Sequence, residues 1–259
     1  MMLFNVRMAS ADRLRRITEA VREAGRVGVA ELAELTGASE MTIRRDLETL
    51  AAQGVLERYR GGARSLLLRG EEPPFALRAQ EGQEVKRRIA AEVAGLLADG
   101  ESVVLDSGTT CLEVARALAH RRLTVMPLSL HGANALTGSP HLTLLVPGGR
   151  PRPGELALTG PLTTASLAAL RFDTAVIGCC GLTAAHGLTA YDLDDATVKR
   201  AAIEASRRVV AVAEAAKFSR TALAFVAPVS ALHTVVTDAA APDDETEALA
   251  AAGVTVRKV

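Results

Sequence analysis

No run in this chain of 259 residues approaches the roughly 20 apolar residues needed to cross a bilayer, because charged or polar residues interrupt every hydrophobic stretch. The first residues, MMLFNVRMASADRLRR, hold no apolar stretch of signal-peptide length, which argues against secretion. Cysteine is scarce. Cys111, Cys179 and Cys180 are an odd count without CxxC spacing, which argues against a disulfide framework and a thiolate zinc site. The adjacent pair, Cys179 and Cys180, reads more simply as two small buried hydrophobes than as a redox sensor. His120, His131, His141, His186 and His233 are scattered, with no HxH or HxxxH pair, so no metal site is expected. Net charge is absent as well, with 30 basic and 30 acidic side chains. What remains is a cytoplasmic globular protein with no membrane partner. Its 49% hydrophobic content supports a sizeable core, and its length suits two domains of roughly 100–200 residues each.

The zero balance conceals an asymmetry. Residues 1–70 carry 12 Lys and Arg against 9 Asp and Glu, whereas the remainder carries 18 against 21. Opposite signs in two segments suggest that the front part meets a polyanion.

Three helices and a hairpin are predicted over the first 65 residues. Between Asp12 and Ala24, Leu14, Ile17, Ala20 and Val21 fall at amphipathic spacing, and Gly25 ends the run. Val29–Thr36 is a second helix with Leu32 and Leu35 inward, stopped by Gly37. Ser39 N-caps a third, in which Ile43, Leu47 and Leu50 form the buried stripe and Gly54 the stop. VLERYRGGARSL then reads as strand, Gly-Gly turn and returning strand. The domain expectation is a first unit over 1–66, a linker over 67–79 containing Glu71, Glu72, Pro73 and Pro74, and an α/β unit over 80–259.

In the rear part a helix over Val85–Leu97 precedes an alternation of β-rich runs with Ala-rich helical stretches. The expected strands are Ser102–Leu105, Leu123–Met126, Leu142–Val146, Thr174–Ile177, Arg208–Val212, Ala224–Val226, Thr234–Thr237 and Val254–Arg257. Strands separated by helices imply a largely parallel sheet covered on both faces.

Helix, tight turn and helix is the geometry that sets a recognition helix in the major groove of double-stranded DNA. While Ile43, Leu47 and Leu50 face inward, Thr42, Arg44 and Arg45 lie largely outside that stripe. Arginine can pair bidentately with guanine or clamp a phosphate, and the Ser39 and Thr42 hydroxyls suit phosphate oxygens. Arg58, Tyr59, Arg60 and Arg64 surround the Gly61-Gly62 tip, as in a wing resting on the sugar-phosphate backbone. An ordinary three-helix bundle with a solvated basic face has the same pattern.

In the rear part, SVVLDSGTTCLEVARAL runs a strand into Asp106, Ser107, Gly108, Thr109 and Thr110 and then directly into a helix. Hydroxyls and free N–H groups at a helix N-terminus favour an anion. The loop has neither the Walker A lysine nor the three-glycine dinucleotide fingerprint, so no nucleotide cofactor is expected and a phosphorylated metabolite fits better. A plain capped turn is the alternative. Asp173, the Gly178–Gly181 loop, Lys217 and the Gly148-Gly149-Arg150 turn all sit at expected strand ends, where open α/β sheets gather ligands. Arg150 or Arg152 is the residue there that could meet an anion.

The segment VGVAELAELTGASEMTIRRDLETLAAQGVLERYRGGA resembles the winged helix-turn-helix of the DeoR family of bacterial transcriptional regulators, with TIRRDL and the GGA wing the specific parts. DSGTT, the GGR turn, ELALTGPL, DTAVIG, EVKRRIAAEVAGLL and VKRAAIEASRRVVAVAEAAKF resemble the effector domain of the same family, so the likeness covers nearly the whole chain. It implies a fold similar to ribose-5-phosphate isomerase and glucosamine-6-phosphate deaminase, and a phosphorylated sugar as effector. It also places Ser39, Thr42, Arg44 and Arg45 at operator DNA, and Asp106, Ser107, Gly108, Thr109, Thr110 and Lys217 at the effector pocket. Two segments depart from the family pattern. Pro127-Leu128-Ser129 stands where relatives usually read T-N-S, and Glu214-Ala215-Ala216-Lys217 where they read D-x-S-K. An unpaired buried hydroxyl costs about 1–3 kcal/mol. Either the effector is less hydroxylated than a typical sugar phosphate or other residues supply the bonds.

The expected function is therefore a DNA-binding regulator, a repressor of carbohydrate-metabolism genes, switched by differential affinity of a phosphorylated effector for two arrangements of the protein. Homo-oligomers, dimers or tetramers, are expected because paired reading heads match two half-sites. The rivals are a sugar-phosphate isomerase or deaminase fused to a DNA-binding head, and a constitutive DNA binder with a vestigial pocket. No catalytic residue is assigned: Asp106 and Asp173 are candidate proton shuttles, but the motifs that the family's fold-mates use are not found.

Overall fold

The computed structural model describes residues 13–21, 24–52, 55–65, 73–218 and 220–259. Asp12, Glu71 and Glu72, which figured in the sequence expectations, lie outside them. The chain divides into two compact units, Met1–Gly82 and Gln83–Val259.

In the first unit residues 13–21 form helix α1, followed by strand β1 (Arg26–Gly28), helix α2 (Val29–Thr36) and helix α3 (Glu40–Ala52). A hairpin of β2 (Leu56–Tyr59) and β3 (Gly62–Ser65) completes the wing, and β1 joins it to give the order β1-β3-β2. The core is Leu14, Ile17, Val21, Leu32, Ile43, Leu47 and Leu50, closed by Val55 and Leu56. This matches the periodicity with one exception. Val29, Leu32, Ala33 and Thr36 form the inward stripe of α2, which rotates Leu35 out to 44% exposure. β1 is too short to show a period of its own.

Helix α3 starts as its sequence dictates, with the Ser39 Oγ accepting from the Thr42 amide at 3.3 Å. On its buried side Asp46 receives the Arg13 guanidinium at 2.5 and 3.1 Å, which ties α1 to α3. The expected linker over 67–79 is corrected at its far end. Phe75–Gln80 is a helix, α4, with Phe75 and Leu77 buried, and Leu77 belongs to the core of the first unit. The turn-prone Pro73-Pro74 pair masked this because Pro74 acts as the N-cap of α4.

The second unit is built on a seven-stranded sheet, parallel throughout, of order β15-β14-β12-β9-β4-β5-β6. The strands are β4 (Ser102–Leu105), β5 (Thr124–Pro127), β6 (Thr143–Leu144), β9 (Phe172–Gly178), β12 (Ser206–Val212), β14 (Thr234–Thr237) and β15 (Thr255–Lys258). Both faces are covered, and the period of two shows it. Ala175, Ile177, Val209 and Ala211 pack into one apolar cluster, while Val176, Val210 and Val212 pack into the other. Helices α5 (Gln83–Leu96) and α6 (Thr109–Leu118) and part of α7 (Leu130–Leu136) cover the second face. The first face is covered by α8 (Pro161–Ala168), α9 (Leu193–Glu204) and α10 (Asp243–Ala251).

One expected strand is misplaced by sequence reasoning. Ala224–Ala227, β13, does not join the parallel sheet but pairs antiparallel with β11 (Gly187–Ala190), itself paired with β10 (Gly181–Thr183). A further hairpin, β7 (Arg150–Pro151) and β8 (Leu158–Thr159), follows the Gly148-Gly149 turn. These strands of two to four residues are too short for alternation to be read.

Candidate functional site

Strand order creates the site in the second unit. From β4 the chain proceeds to β5 and β6 on one side, whereas β9, its other neighbour, leads to β12, β14 and β15 on the opposite side. Adjacent parallel strands whose connections leave in opposite directions open a crevice at their carboxyl ends. Into this crevice run the Asp106–Thr110 loop after β4 and the Gly178–Cys180 loop after β9.

The loop after β4 is shaped for close approach. Gly108, the N-cap of α6, adopts a φ of 97°, and no side chain caps the helix. Ser107 and Thr109 are buried, while Gly108 and Thr110 are half-buried. Beneath the loop Asp106 accepts from the Gly178 amide at 2.8 Å and from the Lys199 ammonium, which also lies 3.4 Å from Asp195. Asp195 is in the first turn of α9, and Ser107 Oγ reaches it at 3.5 Å. Burial pushes the Asp106 carboxyl up, with the Lys199 charge opposing and the Asp195 charge reinforcing the rise. For Lys199 burial works downward, but the carboxylates of Asp106 and Asp195 outweigh it and hold the ammonium well above the usual lysine value.

On the other flank Thr110 Oγ1 lies 3.4 Å from Glu214, and the buried Lys86 ammonium lies 3.7 Å from the same carboxylate. Lys217 follows β12 in a short 3-10 turn, half-buried, and among the described residues no carboxylate pairs with it. Its charge reaches Cys179, whose thiol burial nevertheless pushes up to about 11. Burial, with Asp106 second, also pushes Cys111 up.

One expected pocket residue, Asp173, does not join this group. Asp173 is the second residue of β9, at the amino edge of the sheet, whereas Asp106 follows the carboxyl end of β4. It accepts from the Ser102 amide at 2.8 Å and the Ser102 hydroxyl at 2.7 Å and pairs with Arg207, which together hold its carboxyl low. It is a pin between strands and has no place in the crevice. Gly149 has a structural reason for being glycine. At a φ of 134° a Cβ would stand 2.0 Å from Thr163 Oγ1. Arg150 is 81% exposed and lies 3.9 Å from Asp194, the residue before Asp195 in the first turn of α9. Conversely, Lys86, Asp195, Lys199 and Glu214 escaped sequence reasoning. A buried lysine inside an Ala-rich helix was the available signal, because burial of an ammonium requires a paired carboxylate.

In the first unit the sequence-selected residues converge. Arg44, Arg58, Tyr59, Arg60 and Gly61 line a groove of about 380 Å³ between α3 and the wing. Ser39, Arg45 and Met41 are exposed on the same amino-terminal half of α3. Arg44 is held by Glu40 at 3.0 Å and Arg58 by Glu48 at 2.8 Å. Among the described residues Arg45 and Arg60 have no ion-pair partner. Arg26 stacks 4.0 Å over the Tyr59 ring, a contribution from β1 that the sequence did not reveal.

Comparison with known proteins covers both units. The profile described as the DeoR-like helix-turn-helix domain matches residues 13–67, and that described as the DeoR C terminal sensor domain matches 81–239. The glycerol-3-phosphate regulon repressor of Escherichia coli K12 is 34% identical over 236 residues, covering 91% of this chain and 93% of the relative. The transcriptional repressor AccR of Agrobacterium fabrum is 34% identical over 239 residues, covering 92% of each chain. Among solved structures, ribose 5-phosphate isomerase A from Methanocaldococcus jannaschii aligns with a TM-score of 0.41 at 15% identity, over 53% of this chain and 55% of the other.

Proposed function

The chain belongs to the DeoR family of DNA-binding transcriptional regulators, and on that premise we propose that it is a repressor of carbohydrate-metabolism genes whose grip on operator DNA is set by a small phosphorylated effector. The reading head is α3 with the wing. Arg45 and Arg60, which have no ion-pair partner among the described residues, can reach DNA directly, while Arg44 and Arg58 must exchange Glu40 and Glu48 for phosphate or base. Ser39 and Thr42 at the start of α3 offer hydroxyls to the phosphate backbone. Paired heads in a homo-oligomer match two half-sites.

The observation that carries the sensing role is the crevice between β4 and β9. It combines an uncapped helix N-terminus, the half-buried Lys217 with no ion-pair partner among the described residues, and the buried Lys86 and Lys199. The phosphate sits on the α6 amides, bound by Thr109, Thr110 and Lys217. Asp106 and Ser107 shape the loop from beneath. Relatives named for the glycerol-3-phosphate regulon make glycerol 3-phosphate the first compound to test.

The test is genome-wide mapping of bound sites followed by gel shift on one recovered operator, titrated with glycerol 3-phosphate and a panel of hexose and pentose phosphates. Release of the operator by one of them is the expected result. Tight operator binding indifferent to every phosphate ester, with no thermal stabilisation by any of them, would instead mean a constitutive DNA binder.

A further inference from the structure

The outward face of α3 carries one side chain that packing does not account for. At roughly 3.6 residues per turn, Met41, Arg44, Arg45 and Glu48 fall on a single stripe, opposite the buried Ile43, Asp46, Leu47 and Leu50. Met41 is 67% exposed, and among the described residues of α3 it is the one large apolar side chain that is exposed. The other members of its stripe are charged. Arg44 is tied to Glu40 at 3.0 Å and Glu48 to the wing residue Arg58 at 2.8 Å.

The charges around Met41 point to its partner. Arginines three and four positions further on, one helical turn away on the same face, direct this surface to a polyanion. An apolar side chain beside them gains nothing from a phosphate. In the major groove of duplex DNA the apolar feature is the C5-methyl group of thymine, and it distinguishes thymine from every other base. An unbranched, polarizable thioether adapts its shape to such a group.

We propose that Met41 is a specificity-determining residue of the reading head: its thioether packs on the C5-methyl group of a thymine in the operator. This rests on the reading of α3 as the recognition helix. Arg44 and Arg45 supply attraction and polar contacts, and Met41 adds a preference that no charged side chain can provide.

Replacing one thymine by deoxyuracil removes this methyl group and nothing else. The full chain first selects a duplex from a random library, and fluorescence anisotropy then compares that duplex with versions carrying deoxyuracil at one thymine at a time. In the wild type at least one replacement should weaken binding by about three- to fivefold, the worth of burying roughly one methyl group. Met41→Ala should lose about as much on the unmodified duplex, and the same deoxyuracil should then cost nothing further. Met41→Leu, which keeps an apolar side chain, should retain the sensitivity. Because Met41 is exposed, thermal stability should be unchanged in both variants. Methyl sensitivity that persists in Met41→Ala, or that is absent from the wild type at every thymine, overturns the assignment while leaving α3 as the recognition helix. So does a loss in Met41→Ala shared equally by all sequences. A chain that enriches no sequence, or whose selected duplex is bound unchanged after Arg44→Ala and Arg45→Ala together, overturns the reading head and this inference with it.

Discussion

Lys199 donates to Asp106 from 93 positions further along the chain, and both side chains are buried. The contact fastens the carboxyl end of β4 to α9, and Asp195 completes it from the first turn of that helix.

Removing the ammonium leaves two carboxylates buried without a cation. Lys199→Met is expected to lower stability by about 3–5 kcal/mol, the usual cost of orphaning a buried charge. The double variant Lys199→Met, Asp106→Asn should recover much of the loss. Urea unfolding of both variants is the measurement, and equal stability of single and double variants would mean the ion pair is not what holds the loop.

Effector response should depend on Lys217 without operator affinity doing so. Lys217→Ala removes a charge-assisted contact worth roughly 1.5–3 kcal/mol, which raises the effector concentration for half-release by about ten- to a hundredfold. Gel shifts with and without effector separate the two effects. Weakened operator binding in the absence of effector would show that Lys217 is needed for the structure.

In the reading head the two adjacent arginines should differ. Among the described residues Arg45 has no ion-pair partner, whereas Arg44 must first leave Glu40. If Arg45 pairs bidentately with a guanine, Arg45→Ala should cost about 1–3 kcal/mol at the operator and relax preference at one base pair. Arg44→Ala should cost less and reduce the salt slope by about one, as a phosphate contact does. Fluorescence anisotropy across a salt series, on operator and on single-base variants, distinguishes them. An unchanged operator affinity in the double variant would rule out α3 as the recognition helix.

Asp173 predicts a pH dependence. Its carboxyl is held low by the Ser102 amide and hydroxyl and by Arg207, so it binds protons less readily folded than unfolded. Its contribution is present above the ordinary carboxylate range, near pH 4, and is lost as pH falls through the lowered value. Asp173→Asn should flatten the acid side of the stability curve below about pH 4. A parallel fall in both proteins would place the acid-labile group elsewhere.

The thiols should be slow. With Cys179 pushed up to about 11, little thiolate exists at pH 8, and Cys111 is shifted upward as well. Iodoacetamide labelling of the native protein at pH 8 should be far slower than in urea, and slower still with effector bound beside Cys179. Rapid native labelling would mean that the loop after β9 opens readily.

Local signals in the chain were enough for the helices of the reading head, most strands of the parallel sheet and the Asp106–Thr110 turn. Each is written in contiguous residues: a stripe at helical spacing such as Ile43, Leu47 and Leu50, a Ser39 cap, or a β-rich run ending in DSGTT. The same locality explains the failures. Asp173 and Asp106 both adjoin strands, and only parallel alignment of β4 with β9 shows that they occupy opposite edges. The close approach of Thr163 to Gly149, fourteen positions on, is equally invisible within a single segment. Phe75–Gln80 was hidden by two prolines, and its helix is held by Leu77 packing into a core assembled from residues far earlier in the chain. Lys199, Asp195, Lys86 and Glu214 were individually unremarkable charged residues on helices and at a strand end. What made them a site was the strand order, which brings the ends of β4, β9 and β12 together and takes water away from the ammonium groups. Pairing of charge across about 90 positions is a property of that topology, since no spacing within a single segment encodes it.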